Sequence, residues 1–468
     1  MPNAGAPPRV MLHLGLGSFH RAHQAVYLQR LIAAGDTGWE LAGGNLRPDM
    51  TETIDALIAQ RGEYTVETVA PDGARDYTRV RAIRRVVRHT TDLSGLIAIG
   101  ADAATGIVSF TVTEAGYYLD AKGRLDLSAA DISSDIVAAR AGRAGSTIYG
   151  ALVAMLRARM RAGAGAVTLL NCDNLRHNGH QVRSGLAQFI DQLADDALRD
   201  WVDGHASCPN VMVDRITPRP TSDVRERVRA ATGWDDAAPV MGERFIQWVI
   251  EDDFRNGRPA WESVGVQMVP SVAPYEEAKI RILNASHSGI AWAGTLRGMN
   301  YIHEGTQDAA IRRFVHGYVT DDVIPCLQPS PIDLGAYRDS VLERFGNAAI
   351  ADTNQRVAMD GFSKIPGFIA PTISERLAKQ QSIAAVAMLP ALFLAYLQRW
   401  HQDALPHAYQ DQAMDAASAH TICAAADPVA AFASDAVLWG ALAGDATLLA
   451  ALRDAFARVA RFVEGESP

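Results

Sequence analysis

A short apolar run, Val10 to Leu14, meets Gly15-Leu16-Gly17-Ser18-Phe19-His20, and a helical pattern then runs from Phe19 to Ala34 and stops at Gly35. No other stretch restricts the fold as much. Strand, glycine turn and helix in immediate succession form the context that a dinucleotide fingerprint requires. In that setting Gly15 makes the tight turn, and Gly17 lets the backbone approach a pyrophosphate at the helix N-terminus. The place of a third glycine holds His20, and Ala22 is the small residue left for helix–strand contact. An ordinary strand-to-helix turn has the same local signature.

Further strands follow the same logic. Trp39 to Gly44 reads as a second strand, ending in Asn45-Leu46-Arg47-Pro48-Asp49. A carboxylate near this point would hold an adenosine ribose, which makes Asp49 the candidate, while Arg47 leaves a 2′-phosphate open. Ile107 to Thr113 is the next strand, followed by Glu114-Ala115-Gly116-Tyr117. An amphipathic helix over Thr147 to Arg161 leads into Val167 to Leu170, and a helix over Gly179 to Leu193 follows. Val211 to Val213 ends in Asp214, and Phe245 to Ile250 and Ser263 to Val269 complete the strands. Polar residues after a strand, such as Asn171-Cys172-Asp173-Asn174, are where open α/β sheets bind ligands, although a simple Asx-rich loop is an equal reading.

After Pro274 the character changes to long helical patterns at 275–298, 307–318, 336–345, 383–400, 411–423 and 445–463. The fold class that results is α/β: a Rossmann-type N-terminal domain over 1–275 and a mainly α-helical C-terminal domain over 276–468. At about 100° per residue, Glu276, Lys279, Asn284 and His287 fall within an arc of about 140° on the first of these helices, among apolar neighbours. Buried groups of this kind must meet each other, water or a ligand. A buried network that only ties elements together is the competing reading. Arg356, Asp360 and Lys364 recur at i, i+4 and i+8, the pattern of a salt-bridged, solvated helical face.

Composition narrows the function classes. A net charge of −9 without a Lys/Arg run speaks against nucleic-acid binding. The four cysteines, Cys172, Cys208, Cys326 and Cys423, lack CxxC spacing, so no zinc site or other metal site is expected. No signal pattern opens the sequence, and the apolar run Ile383 to Leu397 contains Pro390 and is short for a bilayer. The expectation is a cytoplasmic protein with no membrane partner. Nothing in the sequence sets its oligomeric state.

Gly15-Leu16-Gly17-Ser18-Phe19-His20-Arg21-Ala22-His23-Gln24-Ala25, Thr113-Glu114-Ala115-Gly116-Tyr117, Cys172-Asp173-Asn174-Leu175, Asp214-Arg215-Ile216-Thr217-Pro218 and Lys279…Asn284…His287 occur in this order across the chain. Together they resemble the mannitol dehydrogenase family, the polyol-specific long-chain dehydrogenases and reductases. The resemblance implies a metal-independent, NAD-dependent oxidation of a polyol to a ketose. Lys279 falls on the family's base, Asn174 and Asn284 on its two amide donors, His287 on a substrate-positioning histidine and Glu276 on a glutamate linked to proton exchange. Asp214, Arg356 and Lys364 fall on its polyol contacts, and Gly15, Gly17, Phe19, Arg21, Asp49, Thr113 and Glu114 on the cofactor side. Leu12 to His20 and Ile282 to His287 favour D-arabinitol, oxidised to D-xylulose. Mannitol 2-oxidation, sugar-acid reduction within the family, and a nicotinamide-binding sensor without turnover are the alternatives. Lys279 serves as a base only if burial brings its pKa below the reference of about 10.4.

Overall fold

The computed structural model describes residues 7–120, 123–218 and 220–465. It divides into two compact units, one of residues 1–70 and 74–273, the other of residues 71–73 and 274–468.

The first unit holds twelve strands among its described residues: β1 (Arg9–Leu14), β2 (Trp39–Gly44), β3 (Tyr64–Val69), β4 (Arg75–Val80), β5 (Ile83–Val87), β6 (Thr105–Phe110), β7 (Val167–Asn171), β8 (Ala206–Ser207), β9 (Val211–Asp214), β10 (Val240–Glu243), β11 (Gln247–Glu251) and β12 (Gln267–Val269). Six of them form a parallel sheet in the order β5-β2-β1-β6-β7-β8, a Rossmann-type arrangement with β1 at its centre. Helices cover both faces, so the central strands are apolar along their length: Val10, Met11, Leu12 and Leu14 of β1 are all buried. His13 is the polar exception, its Nδ1 lying 2.8 Å from Ser109 Oγ.

Two three-stranded sheets, β10-β3-β4 and β12-β11-β9, complete this unit. Sequence patterning overlooks β3, β4, β5, β8 and β10. In β4 the residues alternate between half-buried and exposed, so the strand carries too little apolar contrast to stand out. The predicted helix over Phe19–Ala34 is two helices, Ser18–Ala22 and Gln24–Ala33, separated at His23 with φ −123 and ψ −86. The cause is tertiary: His23 Nε2 reaches the Gln247 carbonyl of β11 at 2.8 Å.

The second unit is helical. Ala285–Leu296 is its central helix, and Asn354–Ala358 and Met388–His401 pack directly against it. Met388–His401 in turn lies along Ala446–Val463. Eleven of the twelve residues of Ala285–Leu296 are buried, which explains why its sequence shows apolar and small residues on every side. Among the described residues no helix is long and apolar enough to cross a membrane.

Candidate active site

Within the first unit, β1 ends at the glycine turn. Gly15 has φ +111, and a Cβ there would collide with the Thr111 carbonyl, so the turn demands glycine on both counts. Gly17 is different: its φ is −72, and a Cβ would meet only the Gly15 carbonyl, at an ordinary 4.0 Å. Backbone at Gly17 is therefore left approachable, which is what a bound pyrophosphate needs. The turn is held from β2, where Asn45 Oδ1 accepts from the Leu16 backbone N–H at 2.8 Å. Asn45 Nδ2 reaches the Asp49 carbonyl at 3.3 Å, so one amide sets both the turn and the loop with the ribose candidate. Asp49 itself is exposed. The Arg47 guanidinium lies 2.8 Å from the Tyr118 hydroxyl and 3.3 Å from Asp131 Oδ2, all at the surface.

His20, in the place of a third glycine, stacks flat on His13 with ring centroids 3.4 Å apart. Both imidazoles are fully buried, and burial drives both pKa values down, that of His13 to about 3. Phe19 is half-buried and stacks on His23. Arg21, expected at the cofactor, is buried. Its guanidinium donates to the Ala238 carbonyl at 2.5 Å and lies over the Tyr64 ring.

The loops after β6 and β7 are tied by one carboxylate. Asp173 accepts from the backbone N–H groups of Val112 and Thr113 at 2.8 and 3.0 Å, and from the Tyr117 hydroxyl at 2.5 Å. Burial raises its pKa, and those three donors oppose the rise. The strand expected to continue to Thr113 stops at Phe110, because Thr113 is turned to φ +68 and ψ 161. A non-glycine residue in that region carries roughly 1–3 kcal/mol of strain, and such strain gathers at functional turns. Glu114 opens the single helical turn Glu114–Tyr117 that follows. Asn174, next to Asp173, is exposed at the same loop, and Asp214 is buried at the end of β9.

The second unit carries the remaining candidates. Ala273–Ala278 runs without a break into Lys279–Asn284, a π-helical segment, and on into Ala285–Leu296. On an α-helix Lys279 and Asn284, five residues apart, would stand about 140° apart. Bonding from i to i+5 gives each turn an additional residue, so the same spacing returns close to one face. Glu276 and Lys279 are buried, and Asn284 is half-buried. Two further π-helical segments, Tyr318–Val323 and Ile365–Ile369, pack against this one.

One turn on, His287 stacks on Phe345 with centroids 4.3 Å apart, and its Nε2 lies 3.3 Å from Asp352 Oδ2. Burial lowers the His287 pKa; Asp352 opposes that, while the charges of Arg356 and Lys364 add to it. The structure thus brings His287, Arg356 and Lys364 together. It does not place Arg356, Asp360 and Lys364 on one helical face. Asn354–Ala358 ends at Met359 (φ −62, ψ 163), Asp360 turns to φ +58, and a new helical turn runs over Gly361–Lys364. The helix is broken between the first residue and the other two; Arg356 pairs with Asp352, and Lys364 Nζ donates to the Val357 carbonyl at 2.6 Å. Asp352, Asp173 and Asn45 are the residues that sequence reasoning passed over. Each acts through a partner far along the chain, which leaves no local pattern.

Comparison with known proteins follows the same division. The model of the mannitol dehydrogenase Rossmann domain matches residues 9–263, and that of the mannitol dehydrogenase C-terminal domain matches residues 271–460. The chain is 60% identical to a D-arabinitol 4-dehydrogenase of Ralstonia nicotianae over 452 residues, covering 96% of each protein. It is 52% identical to a D-arabinitol 4-dehydrogenase of Klebsiella pneumoniae, covering 96% of this chain and 97% of the other. Among solved structures it resembles Pseudomonas fluorescens mannitol 2-dehydrogenase in ternary complex with NAD and D-mannitol, at 33% identity and a TM-score of 0.84, covering 98% of this chain and 94% of the other.

Proposed function

The chain belongs to the mannitol dehydrogenase family, and from that premise we propose that it is an NAD-dependent polyol dehydrogenase oxidising D-arabinitol to D-xylulose. Residues 1–275 serve as the dinucleotide-binding domain and residues 276–468 as the substrate-binding and catalytic domain. The observation that carries the reading is the buried Lys279 at the head of the π-helical segment that ends in Asn284, with His287 on the following turn.

Oxidising a secondary alcohol requires a base for the hydroxyl proton, and Lys279 takes that role. Asn174 and Asn284 donate to the oxygen as it becomes an alkoxide, neutral donors that need no metal. Glu276 passes the proton onward. His287, Asp214, Arg356 and Lys364 hold the remaining hydroxyls of an extended polyol. Gly15, Gly17, Asn45, Thr113 and Glu114 form the cradle into which the dinucleotide fits, with Asp49 at the ribose. When bound, the nicotinamide supplies the hydride acceptor.

Lys279→Ala tests the assignment. A positioned base contributes about 10²–10⁴ in rate, so kcat with D-arabinitol, followed by NADH absorbance, should fall by that factor. Affinity for NAD should stay near the wild-type value. Near-normal turnover in the variant refutes the role.

A further inference from the structure

Asp352 stands between two of the substrate-side residues. Its backbone is fixed first: the Ile302 N–H donates to the Asp352 carbonyl at 2.9 Å, and the Asn354 N–H to the Asn300 carbonyl at 2.8 Å. The following helix is pinned to the central one, where Trp292 Nε1 donates to the Ala358 carbonyl at 3.1 Å. Thus held, the Asp352 carboxylate has 9% side-chain exposure and faces two partners. Arg356 approaches as a fork, Nε on Oδ1 at 2.8 Å and a terminal nitrogen on Oδ2 at 2.5 Å. His287 Nε2 lies 3.3 Å from Oδ2, an electrostatic contact without the alignment of a hydrogen bond.

We propose that Asp352 is a positioning residue that fixes the tautomer of His287, keeping the proton on Nε2 so that Nδ1 accepts a hydrogen bond from a substrate hydroxyl. This rests on the polyol reading above and deepens it. Burial opposes ionisation of Asp352, but the Arg356 fork and the nearby His287 ring outweigh it and hold the carboxyl well below its usual range. An ionised carboxylate only accepts. His287 is disfavoured as a cation by burial and by the charges of Arg356 and Lys364, so it has one proton to place. A negative carboxylate 3.3 Å from Nε2 repels a lone pair on that nitrogen, so the proton is favoured there. The lone pair is then on Nδ1, which matches a hydroxyl donor and mismatches a carbonyl oxygen. His287 would accordingly read a neighbouring hydroxyl of the polyol, and Arg356, held by the same carboxylate, would stand in fixed register with it.

Histidine labelled with ¹⁵N in the full-length protein gives the direct measurement. The signal that disappears in His287→Gln should show the Nε2–H form in the wild type, and Asp352→Asn should lose that preference. In the same variant kcat/KM for D-arabinitol should fall about 10–100-fold with the Kd of NAD unchanged, and Asp352→Glu should recover part of the loss. A wild-type Nδ1–H form, or Asp352→Asn with wild-type kcat/KM, overturns the proposal. Should Asp352→Asn not fold, the wild-type spectrum and Asp352→Glu decide it. Failure of the polyol reading looks different: no wild-type turnover of any polyol, with the tautomer assignment intact.

Discussion

The hydroxyl of Tyr318 donates to the backbone carbonyl of Arg281 at 2.6 Å, in the middle of the π-helical segment Lys279–Asn284. Both residues are buried, and Tyr318 itself opens a second π-helical segment. A π-turn is rare because its hydrogen bonding is less favourable than that of an α-turn, so an outside donor on one of its carbonyls favours the wider form. Around it the Arg281 guanidinium is held by Glu277 at 2.7 Å and Glu375 at 2.6 Å.

Tyr318→Phe keeps the ring and removes that donor. The Arg281 carbonyl is left buried, at a stability cost of about 1–3 kcal/mol. If the segment relaxes towards α-helix, Lys279 and Asn284 swing apart, and a shift of ~1 Å is enough for a ~10²-fold loss in turnover. Steady-state kinetics should show kcat falling by that order while NAD affinity holds. Wild-type kcat would show that the π-turn stands without Tyr318.

On the cofactor side, Asp173 holds the strained Thr113 turn with two backbone N–H bonds. Asp173→Asn leaves a single acceptor oxygen where two were used. One N–H loses its partner, at about 1–3 kcal/mol, which predicts a Kd for NAD weaker by roughly 5–150-fold in a fluorescence titration. An unchanged Kd would mean that Thr113 keeps its conformation without the carboxylate.

Asp49 and Arg47 pull cofactor preference in opposite directions. Arg47 is paired with Asp131 at the surface, where such a pair contributes little, about 0–1 kcal/mol. Wild-type enzyme should prefer NAD, because a carboxylate at Asp49 repels a 2′-phosphate. Asp49→Ser should move the ratio of kcat/KM values towards NADP by about tenfold, or ~1.4 kcal/mol. Adding Asp131→Ala removes the charged partner of Arg47, leaving it the Tyr118 hydroxyl, and should move the ratio further. A ratio that stays fixed through both changes places cofactor selection on other residues.

Much of this architecture is readable from residue patterns alone. Val10–Leu14 and Val167–Leu170 are buried along their length, and Trp39–Gly44 is buried but for Glu40; mostly apolar runs signal that directly. Gly15 follows from the turn it must make. The π-turn is another matter. Its residues differ from those of a buried α-helix only in a hydrogen-bond step that hydropathy does not record, so α-helical spacing puts Lys279 and Asn284 at the two edges of their shared arc rather than close together. Arg356, Asp360 and Lys364 mislead for a related reason: their spacing suits one helix, but Asp360 at φ +58 breaks it. The pairings of Asp352 with His287 and of Asp173 with Thr113 join segments distant in sequence, and only the fold reveals them.

The stacked pair His13 and His20 makes the fold sensitive to acid. Both imidazoles are neutral in the folded protein because burial lowers their pKa values, that of His13 to about 3. In the unfolded chain they take up protons near the reference value of about 6.5. Below that pH the unfolded state binds more protons than the folded one, so stability present above it is lost as pH falls towards 3. For His13 the slope is about 1.4 kcal/mol per pH unit, or roughly 2 kcal/mol by pH 5, and His20 adds to it in the same direction. Urea denaturation from pH 7.5 to 5 should show this loss before most carboxylates begin to titrate. His20→Phe keeps a flat ring against His13 and removes one titrating group, so the slope over that range should fall by about half of the pair's share. Equal slopes in wild type and variant would show that the pair does not govern acid stability.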